Sequence, residues 1–194
     1  MRAQGWRRFG WYVWDQGPGL PGDWNGRLAP SHEFIFHFNR APSKPHKTLP
    51  SKHAGETLGG GGLRTTKGQV GPKTGTGNAT QSHRIPDSVF RIMRHKGGLG
   101  AAGSHPAVFP VALVEAVLAA FTDPGDLVYE PFCGSGSQLV AAERTGRRCC
   151  AVKLDPAYCD VAVRRWELAT GRTASRITEK EEATKPARRT RTGA

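Results

Sequence analysis

Large apolar side chains gather in a few short stretches of the chain, and the spacing inside each stretch predicts its element. Residues 6–15 are aromatic and end in Tyr12-Val-Trp-Asp15, which predicts a strand. Pro18, Gly19, Pro21 and Gly22 then force a loop. His32-Glu-Phe-Ile-Phe-His-Phe-Asn39 carries aromatic and β-branched residues in near alternation, a second strand expected to run antiparallel to the first. Pro110 suits the first turn of a helix through Val111, Leu113, Val114, Val117, Leu118 and Phe121. Its apolar residues cover most of the circumference, so this helix is buried until Asp123-Pro-Gly125 stops it. Leu127, Val128 and Tyr129 form a strand-like run that enters Gly134-Ser-Gly136, with Ser137 placed to cap the next helix. That helix is anchored by Leu139, Val140 and Ala142 and ends at Gly146. A second strand follows, and Asp155 with Pro156 opens a last helix running to Gly171.

Between these stretches the pattern fails. From Ala41 to about Gln81 the chain has Pro42, Pro45, Pro50, a glycine run from Gly59 to Gly62 and almost no large apolar residue, too little to bury for independent order. Its charge is nearly all positive, from Lys44, Lys47, Lys52, Arg64, Lys67 and Lys73, with Glu56 the only acid. Both a mobile DNA-contacting insertion and a solvated linker fit such a segment. Arg84-Ile-Pro-Asp-Ser-Val-Phe-Arg-Ile92 resumes order, and beyond Thr173 the chain is a basic tail without apolar anchors. The expected division is 1–40, 41–99, 100–172 and 173–194.

A length of 194 residues leaves room for one domain with tails. A net charge of +12 and a pI near 10.1 favour a polyanion partner, since each phosphate neutralised by Lys or Arg releases counterions. No stretch is long and apolar enough to span a membrane, and the first residues lack the apolar core of a signal peptide, so a cytoplasmic protein is expected. Cys133, Cys149, Cys150 and Cys159 show no Cys-x-x-Cys spacing, which predicts free thiols and no metal site.

Strand, glycine turn, helix, strand, helix is a parallel α/β unit, and the fold class it predicts is a doubly wound sheet. Ligands of such sheets sit outside the carboxyl ends of the strands, which places Glu130, Cys133 to Gly136 and Lys153 at one rim. N–H groups of the turn can receive a carboxylate or phosphate, and Glu130 can accept from an amine or from hydroxyls. Gly134-Ser-Gly136 by itself is a weak sign, because Leu139 replaces the third glycine of the dinucleotide fingerprint.

The surrounding residues add specificity. His105-Pro-Ala-Val-Phe-Pro110, the helix after it, the run from Glu130 to Ser137 and Asp155-Pro-Ala-Tyr158 together resemble the cofactor half of the permuted class of DNA amino-methyltransferases. Those enzymes methylate adenine N6 or cytosine N4 with S-adenosylmethionine (AdoMet). The resemblance is specific from about Ser104 to Gly171; Arg27, His32 and Glu33 resemble the family's loop arginine and His-Glu strand opening. It implies a Rossmann-like methyltransferase sheet, incomplete at its amino-terminal side, and duplex DNA as partner. It implies that His105, Pro106 and Phe109 hold the methionine end of AdoMet. Glu130, Phe132, Cys133, Gly134, Ser135, Gly136, Lys153 and Asp155 would complete the cofactor site. Arg84 and the basic residues of the insertion would meet DNA.

Two departures stand out. The family's Asp-Pro-Pro-Tyr or Ser-Pro-Pro-Tyr loop, which binds the target amine, has no counterpart, since the chain contains no Pro-Pro. In the permuted class that loop precedes the aromatic strand pair, so the chain is expected to be a carboxy-terminal portion, completed by a polypeptide that supplies the missing segment. Lys153 stands where the family usually has an acid for the ribose hydroxyls, and lysine only donates; Asp155 is the available substitute. Asp155-Pro-Ala-Tyr158 itself fits a helix cap, and no catalytic residue is assigned. Two readings stay open: a methyltransferase lacking this loop, and a non-enzymatic DNA-binding relic. A generic Rossmann dehydrogenase ranks behind both, for want of the third glycine and a ribose acid.

Overall fold

The computed structural model describes residues 2–57, 68–69, 79–94, 99 and 108–177. Among the described residues seven strands and three α-helices follow in chain order. Strand β1 (Arg7–Asp15) pairs antiparallel with β2 (His32–Asn39), and β3 (Leu49–Pro50) pairs with β4 (His83–Arg84). Strand β5 (Val89–Arg91) lies parallel to the end of β1. Helix α1 (Val111–Phe121) leads to β6 (Leu127–Glu130), α2 (Ser137–Arg144), β7 (Arg148–Ala151) and α3 (Pro156–Thr170). β6 and β7 are parallel, with Val128 opposite Cys149. Among the described residues the ladders are separate, in orders β2-β1-β5, β3-β4 and β6-β7.

Helix α1 joins the two larger ladders because its apolar circumference serves both. Leu113 packs with Trp14 and Phe90, backed by Tyr12, Ile35 and Val117. One residue further round, Val114 and Leu118 pack with Ala141 and Ala142 of α2, backed by Val128 and Cys149. Trp14, only 5% exposed, directs its Nε1 to the carbonyl of Ile92 at 2.7 Å, so the buried indole leaves no unpaired donor. The reverse faces are open. Trp11, Phe34 and Phe36 are each at least half exposed on the three-stranded sheet, as are Leu127 and Tyr129 on β6.

Strand β2 and the start and end of α3 lie where the residue pattern puts them. Strand β1 occupies all but the first residue of the expected stretch 6–15, paired along its length with β2. Residues 41–57 differ from the expectation of too little burial for order. The His46 amide donates to Ala120 O at 2.8 Å, and Gly55 and Thr80 close a ladder in which Ser51 donates to Ser82 O. Backbone bonding holds this segment where apolar burial does not.

Candidate functional site

Two glycines in left-handed geometry, Gly134 (φ 55) and Gly136 (φ 82), turn the chain from β6 into α2. Gly136, not Ser137, is the N-cap of α2, and the cap has no side-chain hydrogen bond. The expected capping role of Ser137 is therefore replaced by another. Its Oγ donates to Phe109 O at 2.9 Å and accepts from the Arg165 guanidinium at 2.9 Å. The close approach at Gly136 also differs from expectation. An added Cβ would lie 3.0 Å from Ala162 Cβ and 3.2 Å from its Cα, so helix α3 is what presses on this glycine.

The turn consumes several of its own donors. Phe132 N–H donates to Glu130 Oε1 at 2.7 Å, Cys133 N–H to Val152 O at 3.1 Å, and Gly136 N–H to Cys133 O at 2.9 Å. The N–H groups of Gly134 and Ser135 take no partner among the described residues. Glu130 is buried, and among the described residues the hydrogen bond to its carboxylate, from Phe132 N–H, falls on Oε1 and leaves Oε2 as an acceptor. Phe132 is 86% exposed at the rim, and the exposed Phe109 is tied to the start of α2 through Ser137.

Burial, then the nearby Glu130 carboxylate, pushes the Cys133 thiol up, and burial pushes Cys149 up to about 11. Both stay protonated near neutrality, so neither is a nucleophile there. Among the described residues no group of three His, Cys, Asp or Glu is placed to hold a metal.

Lys153 and Asp155 follow β7 at the same rim. Lys153 Nζ sits 4.7 Å from the centroid of the Tyr158 ring, a cation–π contact. Asp155 Oδ1 accepts from Ala157 N–H at 3.0 Å as the N-cap of α3. One Asp155 oxygen is thus committed to the helix. His105 and Pro106 lie outside the described residues.

Lys44, Lys47 and Lys52 are exposed around the β3-β4 ladder, with Lys47 Nζ bonded to Gln81. Arg84 forms two bonds to Asp87, at 2.7 and 3.2 Å, which raise its own pKa and lower that of Asp87. Its charge is therefore already matched. Arg64, Lys67 and Lys73 lie outside the described residues. A cleft of 280 Å³ separates the three-stranded sheet from α1 and α2, lined by Trp14, Glu33, Phe34, Phe109, Leu113 and Gln138 among others. Among the described residues Gln138 Oε1 is buried there without a donor. Sequence reasoning overlooked Gln138 and Arg165, because a polar residue inside a helix pattern carries no sign of what it faces.

The family model described as DNA methylase matches residues 2–164. The chain belongs to the DNA methylase family. Type II methyltransferase M.XycI from Xanthomonas campestris pv. cyanopsidis is 29% identical over 161 residues, which cover 80% of this methylase chain and 45% of that protein. This methylase chain thus spans about half the length of the curated relatives it first matches. The crystal structure of the M1.HpyAVI complex with SAM has a TM-score of 0.57 and 18% identity, covering 84% of this chain and 64% of that one. The cytosine-N4-specific PvuII DNA methyltransferase has a TM-score of 0.56 and 20% identity, covering 89% and 54%. The fold is accordingly the Rossmann-like α/β fold of the DNA methyltransferases. No helix among the described residues is long and apolar enough to cross a membrane.

Proposed function

We propose that this methylase chain is the AdoMet-binding portion of a site-specific DNA methyltransferase acting on an exocyclic amine, adenine N6 or cytosine N4. The observation that carries the reading is the rim itself: two N–H groups on the glycine turn and a Glu130 oxygen that take no partner among the described residues, and an exposed Phe132 ring, all at the carboxyl end of β6. AdoMet, when bound, supplies an electrophilic methyl group on its sulfonium. Gly134 and Ser135 N–H groups suit its carboxylate, Glu130 suits its amine, and Phe132 and Phe109 offer apolar surface for the rest. His105 and Pro106 belong to the same site by their place in the motif.

Lys153 fits less well. A donor held over Tyr158 cannot accept from ribose hydroxyls, and Asp155 has only one oxygen left for that task. This mismatch favours the second reading, a DNA-binding relic of such an enzyme.

The amine-binding Asp-Pro-Pro-Tyr loop would come from another polypeptide segment. Three features support that part of the reading. Among the described residues no strand pairs with the other edge of β6, Gln138 Oε1 in the cleft between the three-stranded sheet and the helices has no donor, and the open sheet faces are apolar. A doubly wound sheet covers both faces, so an added strand and helix would satisfy all three. Duplex DNA would be held by Lys44, Lys47 and Lys52, with Arg64, Lys67, Lys73 and Arg84 completing the basic region.

Calorimetry with AdoMet tests the cofactor site. The wild-type chain is expected to bind, Gly134→Val to lose binding, and Lys153→Glu to bind more tightly. Unchanged binding by Gly134→Val would show the turn to be structural only. Tritiated methyl transfer to mixed-sequence DNA tests the loop, and turnover by the chain alone would overturn the need for a second segment.

A further inference from the structure

Helix α3 grips the glycine turn with two residues one helical turn apart. Ala162 packs on Gly136, and Arg165 reaches over the same face. Arg165 Nη1 lies 3.2 Å from Ser135 O, 2.8 Å from Ser135 Oγ and 2.9 Å from Ser137 Oγ. Ser137 Oγ in turn donates to Phe109 O at 2.9 Å. One guanidinium nitrogen therefore connects three separate parts of the rim: the turn, the start of α2 and the residue before Pro110. Both serines are 3% exposed, so these bonds compete little with water.

Arg165 is partly buried, and among the described residues no carboxylate pairs with it. Burial lowers its pKa, and the neighbouring Arg144 charge acts in the same direction. A half-buried cation without a counterion is a costly way to hold a helix against a loop, and an apolar side chain of similar volume would pack there at lower cost. Its geometry gives it another use. Drawing the Ser135 carbonyl inward leaves the Gly136 N–H facing Cys133 O on the other side of the same peptide. Among the described residues the donors left over are those of Gly134 and Ser135.

We infer that Arg165 is a positioning residue of the cofactor site: it fixes the glycine turn and the Phe109 backbone in the conformation that takes the anionic end of the ligand. The inference rests on the reading of the rim as an AdoMet site. Its effect comes from ordering the turn before binding, so that less conformational freedom is lost on association.

Arg165→Met and Arg165→Lys separate positioning from packing. Hydrogen exchange on the ligand-free chain is the first measurement, and it needs no ligand. Arg165→Met should speed exchange of the hydrogen-bonded Cys133 and Gly136 amides while leaving those of β1 unchanged; equal protection of these two amides in both proteins would overturn the inference. Calorimetry with AdoMet is the second. Losing a charge-assisted network should weaken binding roughly tenfold in Arg165→Met at an unchanged melting temperature, with Arg165→Lys in between. Wild-type affinity in Arg165→Met would overturn the inference. If Arg165→Met melts early, the cycle with Ser137→Ala decides: a double variant that binds no worse than Arg165→Met supports action through the serine, and fully additive losses refute it. A wild-type chain that binds no AdoMet would refute the cofactor reading instead, and the exchange comparison would then decide by itself whether Arg165 orders the turn.

Discussion

Gly136→Ala isolates the contact that joins α3 to the turn. Two costs add at this position. The residue is held at φ 82, where a side chain costs roughly 1–2 kcal/mol. The new methyl would also stand 3.0 Å from Ala162 Cβ, 3.2 Å from its Cα and 3.3 Å from its carbonyl oxygen. Two of those atoms are helix backbone, so relief requires moving α3, and overpacking of this kind costs about 1–3 kcal/mol. The expected loss is about 2–5 kcal/mol, a large part of an ordinary domain's stability. Gly171→Ala is the control, because Gly171 has φ 69 but nothing within 4 Å of an added Cβ. It should lose only the conformational part, roughly 1–2 kcal/mol. Urea unfolding followed by circular dichroism measures both, and Ala162→Gly in the Gly136→Ala background should return part of the loss. Equal losses for Gly136→Ala and Gly171→Ala would refute the claim that α3 is what excludes a side chain from the turn.

Alkaline titration of stability should reveal Cys149. Its folded pKa of about 11 lies above the ordinary 9.0, so between those values the unfolded chain releases a proton that the folded chain keeps, and stability falls as pH rises. In Cys149→Ala the fall over that window should be shallower, as read by thermal melts at pH 8, 9 and 10. DNA affinity measured by fluorescence anisotropy should decline steeply with salt. Removing the exposed Lys44 and Lys52 together should lessen the slope of log affinity against log salt by about 2, at about 0.9 per phosphate contact. An unchanged slope would remove these lysines from the interface.

Local chemistry suffices for some of this chain, and those parts were legible in the residues alone. Asp155, Pro156 and Gly171 delimit α3 because a cap, a proline at the first turn and a left-handed glycine act on their own backbone, whatever packs nearby. The β6-turn-α2 unit was legible for the same reason, as was the alternation that makes β2. What pairs across the chain was not. Ser137 reads as a cap by its place after a glycine, yet Gly136 occupies the cap and Ser137 Oγ is taken by Phe109 and Arg165, both 28 residues away. Gly136 is required by Ala162 only because a helix distant in sequence packs against it. Turn and cap preferences are properties of a few consecutive residues, whereas burial and hydrogen-bond partnership belong to the packed chain, and only the tertiary structure could assign them.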